Sequence, residues 1–229
     1  MTLTEELKAF LRSRGADLAG AGDMRGVENC AFRIGVSVAV ALPVHVIRDL
    51  QEAPTVEYYH LYGSLNQALN EIVSAGEEFL KARGFAACAQ TTDRVKVSRD
   101  KTTPLPHKTV AVRAGLGWIG KNCLLVTPQY GPAVRISSLL TDAPLDCDEP
   151  ISRSRCGACD RCVRRCPAQA LKGALWEAGM RREELVNAVK CREKQLEIMT
   201  ERTGIEADLC GKCFAVCAYT EKYLKSAVK

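Results

Sequence analysis

No run of apolar residues in this 229-residue chain is long enough to cross a bilayer, which takes about 20 in a row. The longest, Val36 to Val46, is broken by Ser37, Pro43 and His45 and reads as a buried strand. The opening Met1-Thr-Leu-Thr-Glu-Glu lacks the apolar core of a secretory signal. Neither charge sign dominates: 32 Lys and Arg face 27 Asp and Glu, a net +5. That mildly favours an anionic partner, such as nucleic acid, a phosphorylated cofactor or an acidic redox protein, and identifies none of them. The G-x4-G-K-[ST] spacing of a phosphate-binding loop is missing. Apolar and charged contents of 47% and 26% are ordinary for a globular protein.

Cysteine is abundant instead, with twelve residues. Without an export signal, that number points to a reducing cytoplasm and away from a disulfide framework. Four of them form Cys156-Gly-Ala-Cys159-Asp-Arg-Cys162-Val-Arg-Arg-Cys166-Pro167. This is the C-x2-C-x2-C-x3-C-P run with which bacterial-type ferredoxins hold cubane clusters. Its first three thiolates wrap one cluster, and the fourth ligates another. Each cluster then needs distant cysteines. Cys210-Gly-Lys-Cys213-Phe-Ala-Val-Cys217 repeats the back half of the motif, with Ala207 where a further cysteine would stand, and Cys191 lies between the two groups. The simplest assignment puts Cys156, Cys159, Cys162 and Cys217 on one [4Fe-4S] cluster. Cys166, Cys191, Cys210 and Cys213 take the second.

Zinc fits this crowding poorly, because zinc sites pair two C-x2-C units across a longer spacer. Arg153, Arg155, Arg161, Arg164 and Arg165 surround the motif and can offset the negative charge of thiolate-bound clusters. Cys30, Cys88, Cys123 and Cys147 remain and read as small buried hydrophobes.

The rest of the chain is expected to be α+β. A helix over 2–14 starts at Thr2 or Thr4 and stops at Gly15. Asp17 to Ala21 reads as a short strand, and Gly20, Gly22 and Gly26 as a loop. Ile34 to Leu42 should be a central strand. Tyr58, Tyr62, Leu65, Leu69, Ile72, Val73, Phe79 and Leu80 recur at helical spacing over 55–83 and read as core. Phe85 to Ala89 and Arg94 to Val97 are short strand candidates. A proline-rich loop from Asp100 to Lys108 leads into a helix over 107–114. Leu124 to Thr127 and Ala133 to Leu140 read as a strand pair, and 181–201 as a helix carrying Cys191. The division falls into a cofactor-binding domain over 1–148 and a ferredoxin-like double-cluster domain over 149–229.

Arg113-Ala-Gly-Leu-Gly-Trp-Ile-Gly-Lys-Asn122 is the second informative stretch. Glycines let main-chain N–H groups approach a ligand, and Lys121 can meet a phosphate or carboxylate. Gly115, Gly117 and Gly120 have G-x-G-x-x-G spacing, but a helix-like segment precedes them where a dinucleotide fold needs a strand.

That stretch, with Pro128-x-Tyr-Gly131, Leu140-Thr-Asp142, the split cysteine motif, Asp17-Leu-Ala-Gly-Ala21 and the strand ending at Pro43, resembles the epoxyqueuosine reductase family. The likeness spans most of the chain. It implies a nitroreductase-like domain, related to reductive dehalogenases, that holds cobalamin beside the ferredoxin-like module. Gly115, Gly117, Trp118, Gly120, Lys121 and Asn122 become cofactor-binding candidates. The clusters pass electrons from a flavodoxin- or ferredoxin-type donor to cobalt, which reduces an epoxide in a small molecule or modified nucleoside. The family's proton-donating Asp stands three residues before a proline. Here Pro104 matches and Lys101 takes the Asp position, so Asp100, one residue off, is the catalytic candidate, with His107 or Tyr59 as substitutes. Longer members continue past the second motif, some with helical repeats that help grip tRNA; this chain stops just after it, so the expectation favours a small molecule or modified nucleoside over tRNA. A ferredoxin-type electron carrier without cobalamin chemistry is the competing reading. Some 150 residues before the clusters argue against it, since a two-cluster ferredoxin needs only the cysteine region.

Overall fold

The computed structural model describes residues 1–98 and 102–227. In chain order the elements are α1 (Leu3–Ser13), β1 (Leu18–Asp23), β2 (Ile34–Ala41), α2 (Val44–Asp49), α3 (Val56–Lys81), β3 (Ala87–Ala89), α4 (His107–Arg113), β4 (Trp118–Ile119), β5 (Leu125–Val126) and β6 (Val134–Thr141). The cysteine region adds α5 (Arg161–Arg164), α6 (Arg182–Leu185), α7 (Ala188–Thr203), α8 (Lys212–Ala215) and α9 (Ala218–Ser226). The mixed α and β content agrees with the α+β expectation.

Contacts divide the chain into two compact units. One comprises Met1–Val40, Leu65–Gly117 and Arg135–Ile151, and the other Ala41–Ser64, Trp118–Val134 and Ser152–Lys229. This differs from a single cut after residue 148. Two segments from ahead of the cysteine region pack with it because their apolar side chains find partners there. Tyr58 meets Phe214 edge-on at 6.0 Å, and the Trp118 ring lies 4.9 Å from Tyr219.

The first unit is built on a four-stranded sheet of order β1-β2-β6-β3, which places β2 in the interior. β1 runs antiparallel to β2, with Leu18 opposite Ala39 and Asp23 opposite Ile34. Leu7 and Leu11 of α1, Leu69, Ile72, Val73 and Leu80 of α3, and Val36, Val38 and Leu139 of the sheet form one buried cluster. The helical stripe of α3 is therefore core. α1 begins as its sequence dictates: Thr2 Oγ1 accepts from the Glu5 N–H, and the Glu5 carboxylate accepts from the Thr2 N–H. Past the sheet, Asp148 accepts from Lys8 Nζ at 2.7 Å and from the Ala21 N–H at 2.8 Å.

Three local expectations are corrected. Gly20 and Gly22 lie inside β1 rather than in a loop. The end of α4 sits directly on the strand: a β-carbon on Gly22 would come within 2.4 Å of the Arg113 carbonyl carbon, and one on Gly20 within 2.3 Å of the Ala114 oxygen. Residues 94–97 form no strand. The Arg94 and Val95 N–H groups turn back to the Thr91 carbonyl, and Arg94 pairs at 2.6 Å with Glu77, a buried carboxylate also held by Lys81 and the Ala89 N–H. Finally, β5 pairs with β4, and β6 lies beside β3 and β2, so the two are not partners. Only a Thr127–Gly131 bridge closes the turn between them.

Gly22→Ala should force β1 and α4 apart. We expect unfolding stability to fall by about 1–3 kcal/mol, seen as a lower urea midpoint at unchanged slope. Gly63→Ala, in α3 with nothing within 4 Å of the new carbon, should leave the midpoint unchanged or raise it, by up to about 1 kcal/mol.

Candidate metal centre

The second unit is organised by two short helices that carry cysteines in the same way. α5 holds Cys162 in its second position and α8 holds Cys213 in its second position. Each is followed four residues later by another cysteine, Cys166 and Cys217. Neither helix lasts long enough to stack residues i and i+4 on one face, so the two thiols of each pair part company. Cys217 instead stands at the N-terminus of α9.

The flanking loops are shaped by glycines and short turns. Gly157 takes a φ of +54°, and the Cys159 N–H donates to the Cys156 carbonyl at 3.1 Å. Gly211, at φ +79°, leads into α8 over the Leu50 side chain. Asn187 caps α7 by accepting from the Lys190 N–H, which sets Cys191 in the first turn of that helix. The expected 181–201 helix is thus two helices, α6 and α7, interrupted where Val186 bridges to Leu171.

Within the second unit several of the eight thiols are close enough to act on one another, and Cys213 senses Cys162 of the other expected set as well. Burial pushes the Cys162 thiol up to about 12, and Cys217, Cys156 and Cys159 add to this as nearby like charges. Cys217 is raised by burial too, against the backbone N–H groups of Tyr219 and Thr220, which favour its thiolate. In the other expected set burial raises Cys213 strongly, with Cys210, Cys191, Cys162 and Cys166 as its charged neighbours. Cys191 is raised by burial and then by Cys166 and Cys210. Two thiol sulfurs already accept hydrogen bonds, Cys166 from the Ala170 N–H at 3.4 Å and Cys191 from Gln195 Nε2 at 3.3 Å.

A set of desolvated thiols that repel one another once ionised is a poor resting arrangement. A polycationic centre relieves both penalties, and the donor set therefore fits one. Among the described residues no three Cys, His, Asp or Glu side chains converge closely enough for one metal ion. Cys156, Cys159, Cys162 and Cys217 instead line one open cleft. A cubane, whose ligands attach at separate irons, suits that wider spread.

The other wall of the cleft comes from the β4–β5 hairpin. Trp118 pairs with Val126 and Ile119 with Leu125, and the connecting turn presents Lys121 and Asn122 to the cysteines. Lys121 is 8% exposed and Asn122 5%. Trp118 is buried against Tyr219, with the Arg155 guanidinium 5.7 Å from its ring, and its Nε1 donor has no acceptor among the described residues.

Close packing requires glycine at two positions of this stretch. A β-carbon on Gly115, which belongs to the first unit, would lie 2.8 Å from the Glu149 oxygen; one on Gly120 would lie 2.6 Å from Asn122 Oδ1 and Val126 Cγ2. Both glycines make room for their own chain. Gly117 is buried. Asp100 lies outside the described residues. His107 accepts or donates at 2.8 Å with Ser138 Oγ, and burial, helped by Arg135, pulls its pKa down to about 4. Tyr59 is exposed on the first turn of α3. Tyr219 also lines the cleft and was missed from sequence, although it stands two residues past Cys217; Arg161, read from sequence as one of the charge-offsetting arginines, lines it too.

Residues 155–220 match the model of the 4Fe-4S double cluster binding domain. The epoxyqueuosine reductase of Synechococcus sp. (strain RCC307) is 28% identical over 219 residues, covering 93% of this chain and 64% of that protein. The epoxyqueuosine reductase of Lactococcus garvieae (strain Lg2) is 31% identical over 172 residues, 72% of this chain and 42% of that one. The chain thus spans less than two thirds of either relative. A crystal structure of epoxyqueuosine reductase with an epoxyqueuosine-modified tRNA-Tyr stem loop superposes with a TM-score of 0.63 at 23% identity, over 96% of this chain and 65% of that one. A reductive dehalogenase, whose structure suggests a mechanism for B12-dependent dehalogenation, superposes at 0.73 with 16% identity, over 98% of this chain and 34% of that one. The chain is similar to epoxyqueuosine reductases over nearly its whole length, shares its fold with them and with a reductive dehalogenase, and carries a double-cluster iron–sulfur domain in its C-terminal part.

Proposed function

We propose that this protein is an iron–sulfur reductase of the epoxyqueuosine reductase kind. The observation that carries the reading is the placement of all eight cysteines in one compact unit, within a chain similar to those enzymes. Cys156, Cys159, Cys162 and Cys217 hold one [4Fe-4S] cluster; Cys166, Cys191, Cys210 and Cys213 hold the other. The cysteines supply the ligands, and seven of the eight are partly withdrawn from solvent. N–H donors to Cys166, Cys191 and Cys217 spread the thiolate charge, one of the levers by which a protein sets a cluster's potential.

Cobalamin is the wider part of the proposal, and the likeness to a B12-dependent dehalogenase supports it. When bound, it supplies a strongly reducing cobalt centre able to take oxygen from an epoxide. Gly115, Gly117, Trp118, Gly120, Lys121 and Asn122 are the proposed contacts for it; at Gly115 and Gly120 only main-chain groups can take part, because neighbouring atoms leave no room for a side chain. The nitroreductase-like character of the first unit belongs to the same proposal. Asp100 is the proposed proton donor. His107 suits that role less well, since a buried imidazole with a lowered pKa is neutral near pH 7 and lacks the extra proton to give.

The substrate class we favour is an epoxide on a modified nucleoside. A related enzyme has been crystallised with a modified tRNA stem loop, which makes tRNA a partner to test. A low-potential flavodoxin- or ferredoxin-type protein is the proposed electron donor. No helix among the described residues is long and apolar enough to cross a membrane, and a chain with twelve cysteines, none of them in a disulfide, suits a reducing cytoplasm.

Two measurements test this. Cys162→Ala should remove about half of the iron by assay, and Cys213→Ala the other half; unchanged iron in Cys191→Ala would show that the second ligand set is wrong. Anaerobic reconstitution with iron, sulfide and hydroxocobalamin, followed by gel filtration, should give corrin absorption that co-elutes and bleaches with a low-potential reductant. Iron-loaded protein that retains no corrin would remove cobalamin and leave an electron-transfer protein.

A further inference from the structure

Lys121 raises a question that cobalamin binding does not answer. Its ammonium belongs to a side chain only 8% exposed, on a turn with little freedom. The Gly120 N–H donates to the Leu124 carbonyl at 2.9 Å, and the Cys123 N–H to the Gly120 carbonyl at 2.8 Å. Asn122 Oδ1 accepts from the Leu124 N–H, and Cys123 adopts a φ of +60°. The turn thus holds Lys121 against the wall of the cleft formed by Cys156, Cys159, Cys162 and Cys217.

A cation withdrawn from water needs an anion close by. Among the described residues no acidic side chain lines this cleft. Its other cation, Arg161, is already paired with Glu221. The anion that remains for Lys121 is the thiolate-ligated centre itself.

We infer that Lys121 is an electrostatic tuning residue for the cluster held by Cys156, Cys159, Cys162 and Cys217, raising that cluster's reduction potential and leaving the other unchanged. The inference rests on the cluster assignment above. Reduction adds one electron, supplied by a low-potential reductant, and no bond forms or breaks. The reduced cluster carries one more negative charge, so a fixed ammonium beside it stabilises the reduced form more than the oxidised form. Lys121 itself is withdrawn from bulk solvent, so its charge is screened less than that of an exposed lysine.

The test is a redox titration of the reconstituted wild type, K121M, K121Q and K121R, followed by electron paramagnetic resonance, with iron content and thermal unfolding measured on each. In K121M and K121Q we expect wild-type iron and one of two midpoints moved down. At the wild-type midpoint of that cluster the reduced-to-oxidised ratio should fall about tenfold, or ~59 mV for a one-electron couple. K121R should restore the midpoint. Full iron with neither midpoint moved, or with both moved together, would overturn the inference and leave the cluster assignment standing. So would loss of iron from both neutral variants with unfolding temperature unchanged, which would make Lys121 part of cluster assembly instead. A wild type that takes up no cluster overturns the underlying assignment itself.

Discussion

The cost of bringing ionisable sulfur out of water governs the second unit. Eight cysteines share one compact unit, where burial and neighbouring thiols oppose the thiolate at Cys162, Cys191, Cys210, Cys213 and Cys217, and both effects grow as the thiols close in. An arrangement that disfavours its own ionised form is stable only when something offsets that charge. The N–H donors on Cys166, Cys191 and Cys217 offset part of it. A metal centre offsets the rest, and binding such a centre then becomes part of the folding free energy of this unit.

The same constraint accounts for the shape of the surrounding chain. A cluster needs ligands from several directions, so one continuous helix cannot provide them. Four-residue helices with a cysteine inside and another just past the end distribute thiols to two sites from two short segments. The β4–β5 hairpin closes one cleft from the side where the cysteines offer no cover. It is anchored by Trp118 against Tyr219, an aromatic pair that ties the wall of the cleft to the helix begun by Cys217.

The cysteine groups were legible in the sequence because their spacing is local and few other chemistries demand it. The interior strand β2 and the buried stripe of α3 were legible for a similar reason, since runs of Val and Ala and repeats at helical spacing report burial directly. What escaped was long-range. Nothing near Gly20 and Gly22 says that the end of α4 will rest on them, so a strand read as a loop. Arg94 looked compatible with a strand until a buried Glu77 claimed its side chain. The hairpin from Trp118 was assigned by sequence order to the first domain, whereas its apolar faces pack with the cysteine region. Lys121 was recognised as a cation awaiting an anion, but the turn that aims it at thiols depends on the pairing of β4 with β5.

The discontinuous make-up of the second unit has a consequence for how the protein is made. Its segments leave the ribosome in the order 41–64, 118–134 and then 152 onward, with the stretches between them going to the first unit. At roughly 5–20 residues per second, the hairpin that walls the cleft waits several seconds for Cys217, the last residue of its thiol set. During that interval Trp118, Ile119 and Val126 have no apolar cover of their own. Cluster delivery before Cys217 is made would meet an incomplete ligand set, so filling of this site follows synthesis of the second cysteine group, and the hairpin gains the Tyr219 side of its packing only at that stage.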